Sequence, residues 1–426
     1  MFRGDAQHTG VYSDANFLAK PQVRWTFHTQ GYVDSSPAVA DARVFFGSTD
    51  GALYSVRASD GKLVWKFPTG SRVVSSPAVN NGLVYFSSYD GNFYALDEFN
   101  GHVRWRFSTG GEHRFEAKHL HGVLPAAETM PDPFDTYLSS PALANGLVYF
   151  GSSDGNVYAL DAITGNQRWH FKTGDVVHAS PAVAHGTVYV GSWDSYFYAL
   201  DAQTGSLRWR FKTGEDPAIH NQVGIQSSAA VAGGVVYFGC RDSHLYALDE
   251  HTGLLRWSLR TGSSWVIASP AVRDGKVYFA TSDSGLFYAL DAPSGKVVFS
   301  LDFRHWPMFS SPAVTDGLVV IGSHRGWMIG IDTRQGSVAW TFQTSASVRN
   351  GPEYTDADGT PNYASAYPGS FYDDLVVGYT RLMTVGAILS SPVFKDGVLF
   401  FGSDDGNLYA LSEPAARSQA RRQRLK

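Results

Sequence analysis

Apolar and polar residues alternate along this chain in short runs of five or six, not at every third or fourth position, and that period predicts strands. Leu83-Val84-Tyr85-Phe86-Ser87 and Phe93-Tyr94-Ala95-Leu96-Asp97 show the pattern, and Asn-Gly, Asp-Gly and Thr-Gly pairs bound such runs as tight hairpins. Aligned with itself, the chain repeats one unit from end to end: a Ser-Pro strand, a Val-Tyr-Phe-Gly-Ser strand, a Tyr-Ala-Leu-Asp strand, then a strand carrying Trp. The Ser-Pro prolines are Pro37, Pro77, Pro141, Pro181, Pro270, Pro312 and Pro392, and Ala229 holds the equivalent place in Ser227-Ser228-Ala229, which makes eight units. Their spacings are 40, 64, 40, 48, 41, 42 and 80 residues, so a unit of about 40 is interrupted three times.

The register inside the unit is constant. From the third-strand Tyr to the fourth-strand Trp is 11 residues in Tyr54 to Trp65, Tyr94 to Trp105, Tyr158 to Trp169, Tyr198 to Trp209 and Tyr246 to Trp257. Unit six ends in Phe299 instead, and unit seven runs from Ile329 to Trp340. Four-stranded antiparallel sheets with two apolar faces must be stacked, and stacking around an axis closes a ring without long exposed edges. The expected fold is all-β, an eight-bladed β-propeller of four-stranded antiparallel blades. Its last unit stops at Leu408-Tyr409-Ala410-Leu411 without a Trp strand, while an unmatched Val23-Arg24-Trp25-Thr26-Phe27 stands near the start. Residues 22–28 are therefore expected to supply the fourth strand of blade eight. Residues 1–426 then form a single propeller domain, with insertions 111–138, 215–225 and 345–388 on the face that carries the turns between second and third strands. A basic tail, residues 415–426, follows.

Composition agrees and narrows the function. The chain holds 44 Gly, 19 Pro and 60 aromatic residues (27 Phe, 22 Tyr, 11 Trp), which suits many short strands and turns. Its net charge of −5 is of the wrong sign for a protein built around a phosphate backbone, so no nucleic-acid partner is expected. No run of 18 apolar residues and no basic-then-apolar leader is present, so no transmembrane segment is expected. A single cysteine, Cys240, excludes an intrachain disulfide and any Cys-based zinc cluster. The tail carries Arg417, Arg421, Arg422, Arg424 and Lys426 and no acid, a composition of a solvated terminus able to meet an anionic surface.

The repeat from Ser139-Ser140-Pro141 through Trp169 resembles that of the PQQ-like, quinoprotein-type β-propellers. The stretch Phe2-Arg3-Gly4-Asp5 through Gly10-Val11-Tyr12 is similar to the segment that precedes the first blade in that family. The resemblance spans nearly the whole chain and reaches toward the branch of outer-membrane assembly lipoproteins and uncharacterised PQQ-like repeat proteins. It implies an eight-bladed propeller, a periplasmic or extracellular setting, and one of two lives: a non-catalytic scaffold, or a dehydrogenase that binds pyrroloquinoline quinone and calcium. Eight-bladed dehydrogenases of the family typically cover the quinone with a ring made by two adjacent cysteines, which Cys240 alone cannot form. No calcium or base motif of the family is matched either. No cofactor is therefore expected, with pyrroloquinoline quinone and calcium as the alternative.

Residues that recur in every unit serve the fold. Asp97, Asp161, Asp201, Asp249, Asp291 and Asp332 close the third strand, and Asp50, Asp90, Asp154 and Asp405 precede Gly in the preceding turn; both sets are expected to accept turn amides. Function should lie where units differ. Around the turn between second and third strands the deviating residues are Trp193, Tyr196, Arg241, His244, His324, Arg325 and Trp327, and before the Ser-Pro strands they are Arg72, His178, Trp265, His305 and Trp306. These twelve are the candidate ligand-binding residues; all but Arg72, His178 and His305 are read as one aromatic and cationic patch over blades four to seven, suited to a protein, a peptide or a small ligand. The reading is a non-catalytic binding or scaffold propeller. The alternatives are a quinoprotein-type oxidoreductase and a cofactor-free enzyme using His178, His244, His305 or His324 as acid or base. Insertion 111–138 gathers His113, His119 and His121 with acids, read as solvated loop polarity in preference to a metal site. Asp356-Ala357-Asp358-Gly359 is half of a calcium loop without the ligands to complete it.

Overall fold

Turn chemistry and the two-residue alternation set each blade. In the computed structural model, which describes residues 2–13, 20–118, 120, 128–214 and 223–413, blade one is built from Ala38–Ala40, Arg43–Ser48, Ala52–Arg57 and Leu63–Pro68, hydrogen-bonded in chain order. Six more sheets repeat this order as blades two to seven. The second and third strands are almost wholly buried, whereas the fourth is mostly exposed apart from its buried Trp65 and half-buried Phe67. The apolar faces of neighbouring blades therefore meet around an axis, with the outer strands at the rim.

Blade eight is assembled from both ends of the chain. Val393–Lys395, Val398–Gly402 and Asn407–Ser412 supply three strands, and Gln22–His28 is the fourth. Trp25 stands opposite Ala410 and Thr26 opposite Tyr409 in an antiparallel register. The unmatched Trp strand thus closes the ring as the sequence implies.

The constant Tyr-to-Trp spacing has a packing cause. In six blades the fourth-strand Trp leans on the next blade, and its indole Nε1 donates to a backbone carbonyl there: Trp25 to Ala58, Trp65 to Glu98, Trp105 to Ala162, Trp169 to Ala202, Trp209 to Glu250 and Trp257 to Ala292, at 2.9–3.1 Å. Each ring covers a turn glycine. At Gly61, φ is +71° and an added Cβ would lie 2.6 Å from the Trp25 ring, so both backbone strain and space demand glycine. Phe299 takes the place of the Trp over Gly336.

The Ser-Pro motif closes a second circle nearer the axis. The backbone N–H of Ser36 donates to Ser76 Oγ, Ser76 to Ser140, Ser140 to Ser180, Ser180 to Ser228, Ser228 to Ser269, Ser269 to Ser311, Ser311 to Ser391, and Ser391 back to Ser36, all at 2.8–3.2 Å. Blade five keeps the circle intact because it retains Ser228 even though Ala229 replaces proline. Replacing Ser269 by Ala leaves the buried Ser228 N–H without an acceptor and is expected to cost about 1–3 kcal/mol, readable as a lowered urea midpoint. An unchanged midpoint would mean that the circle contributes nothing to stability.

Residues 2–12 line the inner strands of blades four to seven. The N–H groups of Val183, Val231, Val272 and Val314 donate to the carbonyls of Ala6, Gln7, Thr9 and Gly10 at 2.6–3.0 Å. Buried Arg3 donates to the Pro312 and Pro270 carbonyls at 2.7 and 2.6 Å, and desolvation lowers its pKa to about 10. The amino-terminal stretch therefore ties four blades together from inside the ring. Among the described residues no helix is long and apolar enough to cross a membrane.

Candidate functional site

Two insertions meet over the mouth of the ring on blades four to seven. In insertion 111–138, Glu116–Lys118 pairs with Thr129–Pro131. Insertion 345–388 carries helices α1 (Ser345–Asn350), α2 (Tyr363–Ala366) and α3 (Tyr372–Met383), which the strand-dominated repeat gives no hint of. Asp373 and Asp374 sit in the first turn of α3 and Arg381 in its last, as the helix dipole favours. Its buried stripe, Leu375, Gly378, Tyr379, Leu382 and Met383, has helical spacing. Of that stripe, Tyr379, Leu382 and Met383 pack with Trp265 and Phe309 of the rim and Phe134 and Tyr137 of the other insertion in one apolar cluster, while Leu375 packs with Phe115 and Trp193. The Tyr372 hydroxyl donates to the Pro131 carbonyl at 2.6 Å, joining the insertions directly. Insertion 215–225 lies outside the described residues except for 223–225, as do His119, His121 and the tail 415–426.

Arg241 is the hub beneath this cap. It is fully buried, and its guanidinium carbon lies 4.3 Å from the ring centroids of both Trp193 and Trp265. Nη1 donates to Asp132 Oδ2 at 2.5 Å, and Nε and Nη2 donate to Gln226 Oε1 at 3.2 and 2.9 Å. Both members of the ion pair are wholly buried, so the charge is shielded from water and matched in place. Phe115 stacks on the other side of Trp193 at 4.3 Å, and Phe134 meets Trp265 edge-on at 5.7 Å. Rings continue through Tyr379 to His324 and Phe309.

His178 anchors the same insertion on the other side. Its Nδ1 lies 2.8 Å from the Asp135 carboxylate and its Nε2 2.7 Å from Ser153 Oγ. Ser153 Oγ also donates to Glu112 Oε2 at 2.7 Å. With that single hydroxyl proton spent on Glu112, Nε2 must be the donor to Ser153, so the imidazole carries both protons and lies between two carboxylates. Such polarity is the reverse of an activated serine, whose proton must point at the imidazole. Burial opposes a charged ring here and Arg72 adds to that, but the charge and hydrogen bond of Asp135, reinforced by Glu112, outweigh both and hold the His178 pKa above its usual value. Because the folded pKa exceeds the unfolded one of about 6.5, this contribution to stability is complete below that pH and is lost as pH rises through the folded value. Thermal midpoints followed from pH 6 upward should therefore fall more steeply in the wild type than in His178→Gln; equal slopes would refute the charged imidazole.

Beside the hub a cleft of about 630 Å³ opens between the cap and blades six and seven. Its walls are Trp265, Phe309, Phe134, Tyr363, Tyr367 and Tyr379, with Leu120, Leu375 and Leu382 between them. Besides the tyrosines, few polar side chains line it: Asp283, His305, His324 and Ser370. Burial drives the His324 pKa down to about 3, so the ring is neutral. The Asp283 carboxyl opens into the cleft yet is crowded by protein, and this desolvation raises its pKa. Trp265 Nε1, His324 Nε2 and the Tyr379 hydroxyl are buried without any hydrogen-bond partner.

The remaining candidates divide. Trp306 is buried, and its Nε1 donates to the Gly359 carbonyl at 3.0 Å, clipping insertion 345–388 to the rim. Arg325 lies over Trp327 at 4.1 Å, outside the cleft lining. His305 is exposed at the cleft mouth. Arg72 stacks on Tyr89 at 3.9 Å, between blades one and two. Tyr196 lies under Arg210 and Lys212, and His244 packs on Tyr246, both facing the outer strands of their own blades. The two turn positions diverge because the residue that opens the third strand pairs with the end of the fourth, whereas the one before the aspartate faces the axis. In insertion 345–388, Asp358 Oδ1 accepts from the backbone and hydroxyl of Thr360, so the half calcium loop is spent on its own turn.

One constellation was not singled out from the sequence. Asp34 of blade one and Asp404 of blade eight are buried together near Tyr137 and Tyr379. Desolvation and the neighbouring charge of Asp34 hold the Asp404 carboxyl well above the usual range. Both stand at positions where blades differ, but their pairing depends on ring closure.

The cleft does not suit pyrroloquinoline quinone. That tricarboxylate needs cations, and the lining offers no Lys or Arg, a neutral His324 and an acid. The flat slot between Trp193 and Trp265 is filled by the guanidinium of Arg241 itself. Cys240 is buried, with desolvation raising its pKa well above the usual value, and no second cysteine adjoins it. Among the described residues no group of three or more His, Cys, Asp and Glu side chains converges as a metal site.

A family model described as outer membrane protein assembly factor BamB matches residues 18–128, 126–265 and 261–355. No curated protein matches by sequence. Among solved structures, BamB from Moraxella catarrhalis is similar at 15% identity and TM-score 0.66, over 92% of this chain and 99% of that one. The quinohemoprotein alcohol dehydrogenase from Comamonas testosteroni is similar at 13% identity and TM-score 0.70, over 97% of this chain and 80% of that one. A europium-containing methanol dehydrogenase gives 14%, 0.68 and 97% of both chains. At these identities the shared property is the fold.

Proposed function

The chain belongs to the outer membrane protein assembly factor BamB family, and on that premise we propose that it is a non-catalytic scaffold that binds a protein partner through its capped face over blades four to seven, at a periplasmic or outer-membrane surface. One observation carries this reading. Val348, Tyr363, Phe371 and Val377, all in insertion 345–388, expose 61%, 40%, 68% and 41% of their surface, and Tyr363 lines the aromatic cleft. A group of large apolar side chains on one cap, rimmed by polar ones, is the usual mark of an interaction surface. The buried hub of Trp193, Arg241 and Trp265 holds that surface in shape, and the exposed His305 and half-buried Arg325 add polar contacts at its edge.

The test is site-specific photo-crosslinking in cells. A benzoylphenylalanine at position 371 or 305 should yield one discrete protein adduct, and the same group at Leu254, exposed at an outer hairpin, should yield none. Adducts that are equally strong from all three positions, or absent from 371 and 305, would overturn the proposal.

A further inference from the structure

We propose that the cleft between the cap and blades six and seven is a site for an uncharged small molecule with a flat conjugated ring and a carbonyl-type acceptor. This goes beyond protein binding and rests on the capped face being the recognition face. Size comes first: about 630 Å³ lies in the range of small-ligand sites. Shape comes second. Trp265, Phe309, Tyr363 and Tyr367 present ring surfaces, which favour stacking with a flat solute over a branched aliphatic one.

Hydrogen bonding sets the polarity. Trp265 is 6% exposed, His324 3% and Tyr379 9%, and the indole Nε1, the imidazole Nε2 and the phenol oxygen all lack partners within the protein. The indole N–H can only donate, and the phenol donates most readily. Buried donors left unpaired are destabilising, so the cleft is complete only when an acceptor oxygen or nitrogen enters it.

Charge decides the rest. An anion would meet Asp283 and no Lys or Arg. A cation would have the aromatic walls and Asp283, but it would face two donor hydrogens, and the Arg241 guanidinium lies 4.3 Å from Trp265. Only a neutral acceptor meets the indole and phenol donors without setting a charge against Asp283 or Arg241.

Three probes separate these cases. Prodan, a neutral naphthyl ketone, is titrated into the full chain and followed by its emission shift; 8-anilinonaphthalene-1-sulfonate serves as the anion, and phenyltrimethylammonium is tested as a displacing cation. Prodan should bind one to one, at least tenfold more tightly than the sulfonate, without displacement by the cation. Tyr379→Phe removes only an oxygen that has no partner, so the fold is kept, and it should weaken prodan at least tenfold. Ala364→Trp, on the exposed side of α2 within the lining, should abolish binding. Equal or better binding of either ion, or undiminished prodan binding in Tyr379→Phe or Ala364→Trp, overturns the assignment. Loss of prodan binding with crosslinks from position 371 intact removes this inference alone; prodan binding without crosslinks removes the protein-binding proposal alone.

Discussion

Arg241→Met is expected to destabilise the capped face by about 3–5 kcal/mol, because it leaves the wholly buried Asp132 carboxylate without its guanidinium. Methionine keeps most of the volume between Trp193 and Trp265, so cavity formation is a small part of the effect. What is lost is the charge match, the two contacts to Gln226 and the stacking on two indoles. Asp132 belongs to insertion 111–138, and the main-chain N–H of Phe134 donates to its other oxygen, so the insertion should loosen before the ring does. Urea unfolding read by tryptophan fluorescence should show an early phase in the variant, and limited proteolysis should cut near residues 111–138 first. A double variant that also carries Asp132→Asn should recover part of the loss, since the side chain that has lost its guanidinium is then uncharged. An unchanged unfolding curve in Arg241→Met would show that the hub does not seat the cap.

Trp25→Ala should cost a comparable amount, about 3–5 kcal/mol, but act on the ring as a whole. Trp25 is 8% exposed, tilts against Phe400 at 5.8 Å, covers Gly61 and donates to the Ala58 carbonyl of blade one. It is the indole clasp that joins blade eight to blade one, and its strand is held by pairing with Asn407–Ser412. Truncation opens a cavity at the closure itself, where separation exposes two apolar sheet faces at once. The variant should lose the main unfolding midpoint without an early phase, unlike Arg241→Met. Loss confined to a local phase would mean that closure is not the weak point of the ring.

The fold was legible because every structural device recurs. The Tyr-to-Trp interval is the indole clasp, the serine before each proline is the inner circle, and a Trp strand with no partner can belong only to an incomplete blade. The candidate site was legible in part. Trp193, Arg241 and His324, each just before the turn aspartate or its equivalent, face the axis, as do His178 and Phe309 three residues before the proline, so repeat position alone groups them. Tyr196 and His244 misled because strand alternation carries the residue two places later toward the outer strand. Asp132, Asp135, Glu112 and Tyr379 were beyond reach for a different reason: they come from insertions, where no repeat fixes which rim residue each will meet. The helical stripe of α3, with Leu375, Tyr379, Leu382 and Met383 at helical spacing, was visible in principle beside a chain of strands.

Titrating the purified protein with pyrroloquinoline quinone and calcium, then assaying dye-linked alcohol oxidation, tests most directly whether this face is built for binding or for redox chemistry. A lining without Lys or Arg and a slot already filled by Arg241 lead to the expectation of no stoichiometric quinone absorbance and no turnover. Stoichiometric quinone uptake with alcohol-dependent dye reduction, abolished by Trp265→Ala, would contradict it.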